Sequence, residues 1–151
     1  MRVFAYGTLM VPALVEGITG LRPAQRPARL EGWERRAVRG EVYPAIVPAP
    51  GAAVEGRLLA GVPRSRLAFL DRFEGPEYRR LALPVRLPDD RRLVAWCWVW
   101  APGRRRALDT RPWEMDAFLA DALPDYLRRC RRLGHACRRG PAGPAAGRRG
   151  P

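Results

Sequence analysis

Leu93-Val-Ala-Trp-Cys-Trp-Val-Trp100 sets tryptophans at 96, 98 and 100 against Cys97 and Val99, a period of two that marks a β-strand. Tyr78–Leu87 just upstream reads as its partner, with the polar Pro88–Arg92 segment as the turn between them. Outward from this pair, Met1–Tyr6 reads as a further strand that Gly7-Thr8 breaks, and Val54–Leu59 as another. Between those two, Trp33, Val38, Val42 and Ile46 predict short strands within residues 28–50, interrupted by glycine and proline.

Helical signals are fewer. Residues 10–19 predict a short helix, with Pro12 tolerated in its first turn and Gly20 near its end. Ser65 is placed to cap a helix over Arg66–Glu74, which Gly75-Pro76 stops. Pro112–Leu127 predicts one more, which Pro124 must kink or cut. The expected class is α+β, with a curled or barrel-like sheet. A length of 151 residues suits one domain with a real core. Beyond Leu133 the Gly/Pro/Ala/Arg stretch has little to bury, so the expected domain spans 1–133 and residues 134–151 form a disordered basic tail.

The net charge of +13 invites a nucleic-acid reading. Every basic side chain is arginine, and the chain contains neither lysine nor asparagine. From Arg128 onward there are eight arginines and no acid, which leaves 20 arginines against 15 acids, a net +5, for residues 1–127. Charge gathered in a tail can bind polyanions without sequence preference, but it argues against a folded surface for specific nucleic-acid recognition. No apolar run approaches the ~20 residues of a membrane span, and no targeting segment is visible. With three unpatterned cysteines, the expected location is a reducing cytoplasm. No pattern assigns an oligomeric state.

Glu74 is the most informative acid. On a wheel turning ~100° per residue, it falls between Leu67 and Leu70 on the apolar face. It also sits in the last helical turn, where the dipole disfavours negative charge. Both features raise a carboxyl pKa toward what a general base near neutrality needs. The alternative is a frayed helix end, with Glu74 in water or paired to Arg79 or Arg80. Tyr6-Gly7-Thr8-Leu9 is a strand end leading into a turn, where exposed amides can cradle an anion and Gly7 admits close approach; taken alone, the tetrapeptide reads first as an ordinary strand-ending glycine. Tyr43-Pro44 and Tyr78 are more often packing residues than ligands.

Other chemistries find little support. Cys130, His135 and Cys137 match no closed zinc spacing, so no metal is expected, and no Gly-x-Ser-x-Gly elbow occurs. Cys97 within its strand reads as a core thiol. A phosphate loop with lysine is impossible in a chain lacking lysine.

Taken together and in order, Val3-Phe-Ala-Tyr-Gly-Thr-Leu9, Tyr43-Pro-Ala-Ile46, Val54-Glu-Gly-Arg-Leu58, Leu70-Asp-Arg-Phe-Glu-Gly-Pro-Glu-Tyr-Arg79 and the aromatic strand Ala95–Trp100 resemble the gamma-glutamylcyclotransferase-like superfamily. The resemblance is closer to the avirulence-induced-gene-like branch and covers roughly residues 2–127, including the helix from Trp113 through Phe118. It implies a mixed sheet closing into a small barrel with flanking helices, and a cavity beside the Tyr-Gly-Thr-Leu turn. It implies Glu74, and not Glu77, as the catalytic acid/base. Tyr6, Gly7, Thr8 and Leu9, running on to Met10 and Val11, would bind substrate, with Tyr43 and Tyr78 nearby.

The implied partner is a small γ-glutamyl compound, and the implied reaction is closure of its α-amine onto its γ-carbonyl to give 5-oxoproline. Such a reaction needs no cofactor. Gly-Thr-Leu stands where the mammalian-type glutathione-degrading enzymes have Gly-Ser-Asn, so the leaving group stays open. A non-catalytic ligand-binding member of the fold is the second reading, and an arginine-driven polyanion binder the third.

Overall fold

A computed structural model describes residues 1–139, with side chains through Arg132. The aromatic strand and its partner pair as read. Tyr78–Arg86 (β4) and Arg92–Trp100 (β5) run antiparallel, with Tyr78 opposite Trp100 and Arg86 opposite Arg92. Val3–Ala5 (β1) lies parallel to β5 and antiparallel to Pro44–Ala60 (β3), which pairs in turn with Ala24–Ala37 (β2). A contact between Arg29 and Arg86 links β2 to β4, and the mixed sheet closes in the order β1-β3-β2-β4-β5. The barrel expected from the resemblance is therefore present.

Closure explains why both faces of β5 are apolar. Cys97 and Val99 turn into the barrel with Phe4, Tyr6, Leu58 and Val85. Trp98 turns outward, with Val3 and Ala5, onto the helices Pro12–Thr19 (α1) and Arg64–Glu74 (α2). A second helical layer follows: Met115–Ala117 (α3) widens into a π-turn at Phe118–Ala122 and continues as Leu123–Arg139 (α4).

Three expectations need correcting. Residues 28–50 are not a set of short strands but the inner ends of two strands of 14 and 17 residues. Pro44, Pro48 and Pro50 are tolerated there because β1 pairs with β3 only from Arg57 to Leu59, so the proline stretch has a neighbour on one side alone. Ser65 is not the cap of α2; the helix begins at Arg64, and Arg66 N–H donates to Pro63 O at 2.9 Å. Finally, α4 runs past the expected boundary at residue 133 through Arg139. A lone interior glycine such as Gly134 costs a helix only ~1 kcal/mol, and the strong breaker, Gly140-Pro141, comes later. Residues 140–151, the rest of the expected tail, lie outside the described residues. Pro124 does distort the helix without cutting it: lacking an N–H and crowding the carbonyl at 120, it follows directly on the π-turn.

Gly56 shows how tightly the barrel is drawn. A β-carbon there would fall 2.3 Å from Ala5 O and 2.6 Å from the Phe4 ring. Gly56→Ala must push β1 off β3, and overpacking of this kind costs typically ~1–3 kcal/mol. The urea midpoint of Gly56→Ala should fall accordingly; an unchanged midpoint would show that the two strands are loosely joined.

Candidate active site

The end of β1 and the end of α2 converge on one cavity of about 220 Å³. Tyr6, Gly7, Thr8 and Leu9 form one wall, Phe73, Glu74 and Gly75 another, and Tyr43, Pro44 and Tyr78 a third. Met10 and Val11, which follow in the same turn, lie outside the lining and pack against the core. The volume falls below the ~300–1,000 Å³ of pockets for drug-sized ligands, so a small molecule fits.

After Tyr6 the chain makes a single tight turn at Thr8–Met10. Met10 N–H donates to Gly7 O at 2.9 Å and Val11 N–H to Thr8 O at 3.1 Å. Among the described residues, no protein acceptor takes the amides of Thr8 and Leu9. Gly7 is required by space: a β-carbon would stand 2.5 Å from Cγ of Pro44, whose ring cannot swing aside. Arg35, which sequence reading passed over, holds the turn from behind. Its Nη1 donates to Tyr6 O at 2.7 Å, and its guanidinium lies 5.2 Å from the Trp113 ring centroid.

Glu74 takes its place from α2. Leu67 and Leu70 of that helix are buried in the core as the wheel requires, and the final turn carries Glu74 into the cavity. Asp71, one turn earlier, accepts the Trp98 indole N–H at 3.0 Å and so fixes the helix against β5. Arg80 Nη1 lies 3.2 Å from the other Asp71 oxygen but is not aligned as a hydrogen bond. A hydrogen bond to a charged acceptor is worth ~1.5–3 kcal/mol and a part-exposed ion pair ~0–1, so the indole contact dominates.

The Glu74 carboxyl keeps an edge on the cavity but is withdrawn from bulk water, and this burial pushes it from 4.5 up to about 8. Glu77 also lines the cavity but is only half-buried and lies 3.5 Å from Arg104. Tyr6 donates its hydroxyl to Trp98 O at 2.7 Å, and Tyr78 donates to Pro44 O at 2.9 Å, its ring edge-on to Trp100. Burial raises both phenols, and it raises the Cys97 thiol inside the barrel, which agrees with a core role. Tyr126, Arg129 and Cys130 complete the wall from α4. Their spacing of three and four was visible in the sequence, but nothing there tied that face to this cavity.

The family described as gamma-glutamyl cyclotransferase, AIG2-like, matches residues 3–115. The chain belongs to this family. Among AIG2-like relatives, AIG2-like protein D of Arabidopsis thaliana is 39% identical over 101 residues, 66% of each chain. Protein AIG2 A of the same plant is 36% identical over 87 residues, covering 58% of this chain and 51% of that one. The chain thus spans from about half to just under two-thirds of these AIG2 relatives' length. A solved Arabidopsis thaliana structure superposes with a TM-score of 0.66 at 24% identity, over 93% of this chain and 84% of the other. A structure titled gamma-glutamyl cyclotransferase superposes at 0.62 and 15% identity, over 97% and 92%. These superpositions establish the cyclotransferase fold. Among the described residues no helix is long and apolar enough to cross a membrane.

The raised Glu74 pKa has a stability consequence. Between about 4.5 and about 8 the folded carboxyl holds its proton while the unfolded one has lost it. The folded state then binds more protons, so Glu74's contribution is full below 4.5 and declines as pH rises toward 8. Glu74→Gln, which does not titrate, should gain on wild type in urea-melt stability from pH 5 to pH 8.5. Parallel pH profiles for the two proteins would show that the carboxyl is solvated.

Proposed function

We propose that the chain is a γ-glutamyl cyclotransferase in which Glu74 moves protons between the attacking and departing nitrogens. The observation carrying this reading is the Glu74 carboxyl inside the cavity, raised by burial and facing the turn after Tyr6. Membership of the AIG2-like family supports it.

The substrate's α-amine attacks its own γ-carbonyl carbon. A carbon–nitrogen bond closes the five-membered lactam, 5-oxoproline, and the original amide carbon–nitrogen bond breaks. The α-ammonium gives up two protons overall and the departing nitrogen gains two, so atoms and charge balance without water or a redox partner. Glu74 carries these protons one at a time. Its pKa of about 8 lies near the ~8 of a free α-amine, so transfer in either direction is nearly level in energy.

The nucleophile is tethered to its target, and oriented intramolecular attack reaches effective molarities on the order of 10⁵–10⁸ M. The protein therefore has to fold the substrate and move protons, and needs no nucleophile of its own. The Thr8 and Leu9 amides offer donors for the substrate carboxylate or the carbonyl oxygen.

Product analysis for 5-oxoproline over a panel of γ-glutamyl compounds tests the reaction. On any substrate that the wild type cyclises, Glu74→Gln should lower kcat by about 10²–10⁴, the usual span of general acid/base catalysis, with no loss of melting temperature. Glu77→Gln should cost much less, since that carboxylate is half-exposed and faces Arg104. Near-normal turnover by Glu74→Gln would refute the assignment.

A further inference from the structure

Arg129 is the one cation among the described residues that line the cavity. It reaches the wall because Tyr126, Arg129 and Cys130 stand three and four residues apart and so share a face of α4. Nearby acids are engaged elsewhere. Asp125, one turn back, pairs with Arg128, and Glu77 across the cavity faces Arg104 at 3.5 Å. Arg129 itself is exposed and forms no ion pair among the described residues. A free guanidinium at the edge of an apolar cavity is a ready bidentate partner for a carboxylate.

Its position also separates it from the reacting centre. Arg129 is exposed at the open edge of the cavity, whereas the Glu74 carboxyl at the end of α2 is withdrawn from bulk water. Arg129 therefore stands at the mouth of the cavity and Glu74 inside it. Given the cyclisation proposed above, on which this inference rests, the glutamyl end must lie at Glu74, which leaves the departing portion toward Arg129. We propose that Arg129 binds a carboxylate on the departing amine and so selects γ-glutamyl compounds that release an acid-bearing amine over those that release a neutral one. Arg129 lies outside the residues matched by the family, so that match assigns it no role.

The test compares γ-glutamylalanine with its C-terminal carboxamide, a neutral isostere, by 5-oxoproline release and by calorimetric binding. Wild type should favour the acid in kcat/KM. Arg129→Gln should lower the value for the acid by about 10- to 100-fold, the span of a charge-assisted hydrogen bond, chiefly through KM. The acid-to-amide ratio should then approach one. Arg129→Lys should keep part of the preference, and Arg128→Gln all of it. A wild-type ratio near one would overturn the proposal. So would equal losses on both substrates in Arg129→Gln, since that places the guanidinium on the glutamyl carboxylate instead. If neither compound is cyclised, the reaction is refuted for these two substrates and binding decides the anchor. Tighter binding of the acid that depends on Arg129 sustains it, and equal or absent binding overturns it.

Discussion

A carboxyl group withdrawn from water, with no cation close enough to hold it ionised, is unfavourable in its charged form by several kcal/mol. At Glu74 this cost is met by keeping the proton on, and burial is the whole cause of the shift. That arrangement survives only if the end of α2 cannot swing out to solvent. Leu67 and Leu70 bury the helix, and the Trp98 indole bonded to Asp71 fixes it one turn before the carboxyl. The same tryptophan receives the Tyr6 hydroxyl on its backbone carbonyl, so one residue of β5 contacts both sides of the site.

The opposite wall is held by different means. The turn after Tyr6 sets Leu9 and Met10 on the core, but its amides have to stay unencumbered for a ligand. Its support comes from contact: Pro44 closes over Gly7, and Arg35 reaches from β2 to the Tyr6 carbonyl while stacking on Trp113. Trp113 in turn donates its indole N–H to Val42 O at 2.8 Å. The loop between β2 and β3, the turn after β1 and the start of the C-terminal helical layer are thereby fastened together.

Much of this was legible in the sequence because the signals were local. The period of two in Trp96–Trp100 places β5, and the apolar spacing of Leu67, Leu70 and Glu74 turns the carboxyl inward. Two segments were misread for the same reason. Pro48 and Pro50 look like strand breakers, yet their effect depends on whether a neighbouring strand needs the missing N–H, which is a property of topology. Residues from 134 onward have a composition with little to bury, yet the buried Tyr126 and Cys130 have already committed their helix to the core, and it runs on to Arg139. Arg35 and Arg129 were hidden among 28 arginines, since side chains of one type carry no mark of which meets a carbonyl and which a cavity.

Tyr6 and Tyr78 both line the cavity, and both have turned their hydroxyl hydrogens onto main-chain carbonyls, of Trp98 and Pro44. A phenol in that state offers a ligand only lone pairs. Its oxygen can receive a hydrogen but has none left to give. The Tyr78 oxygen thus receives N–H or ammonium groups on one wall, while the Thr8 and Leu9 amides supply donors on another. Replacing Tyr78 with phenylalanine would remove that receiving oxygen, making the cavity not merely more apolar but less discriminating about which end of a zwitterion it admits.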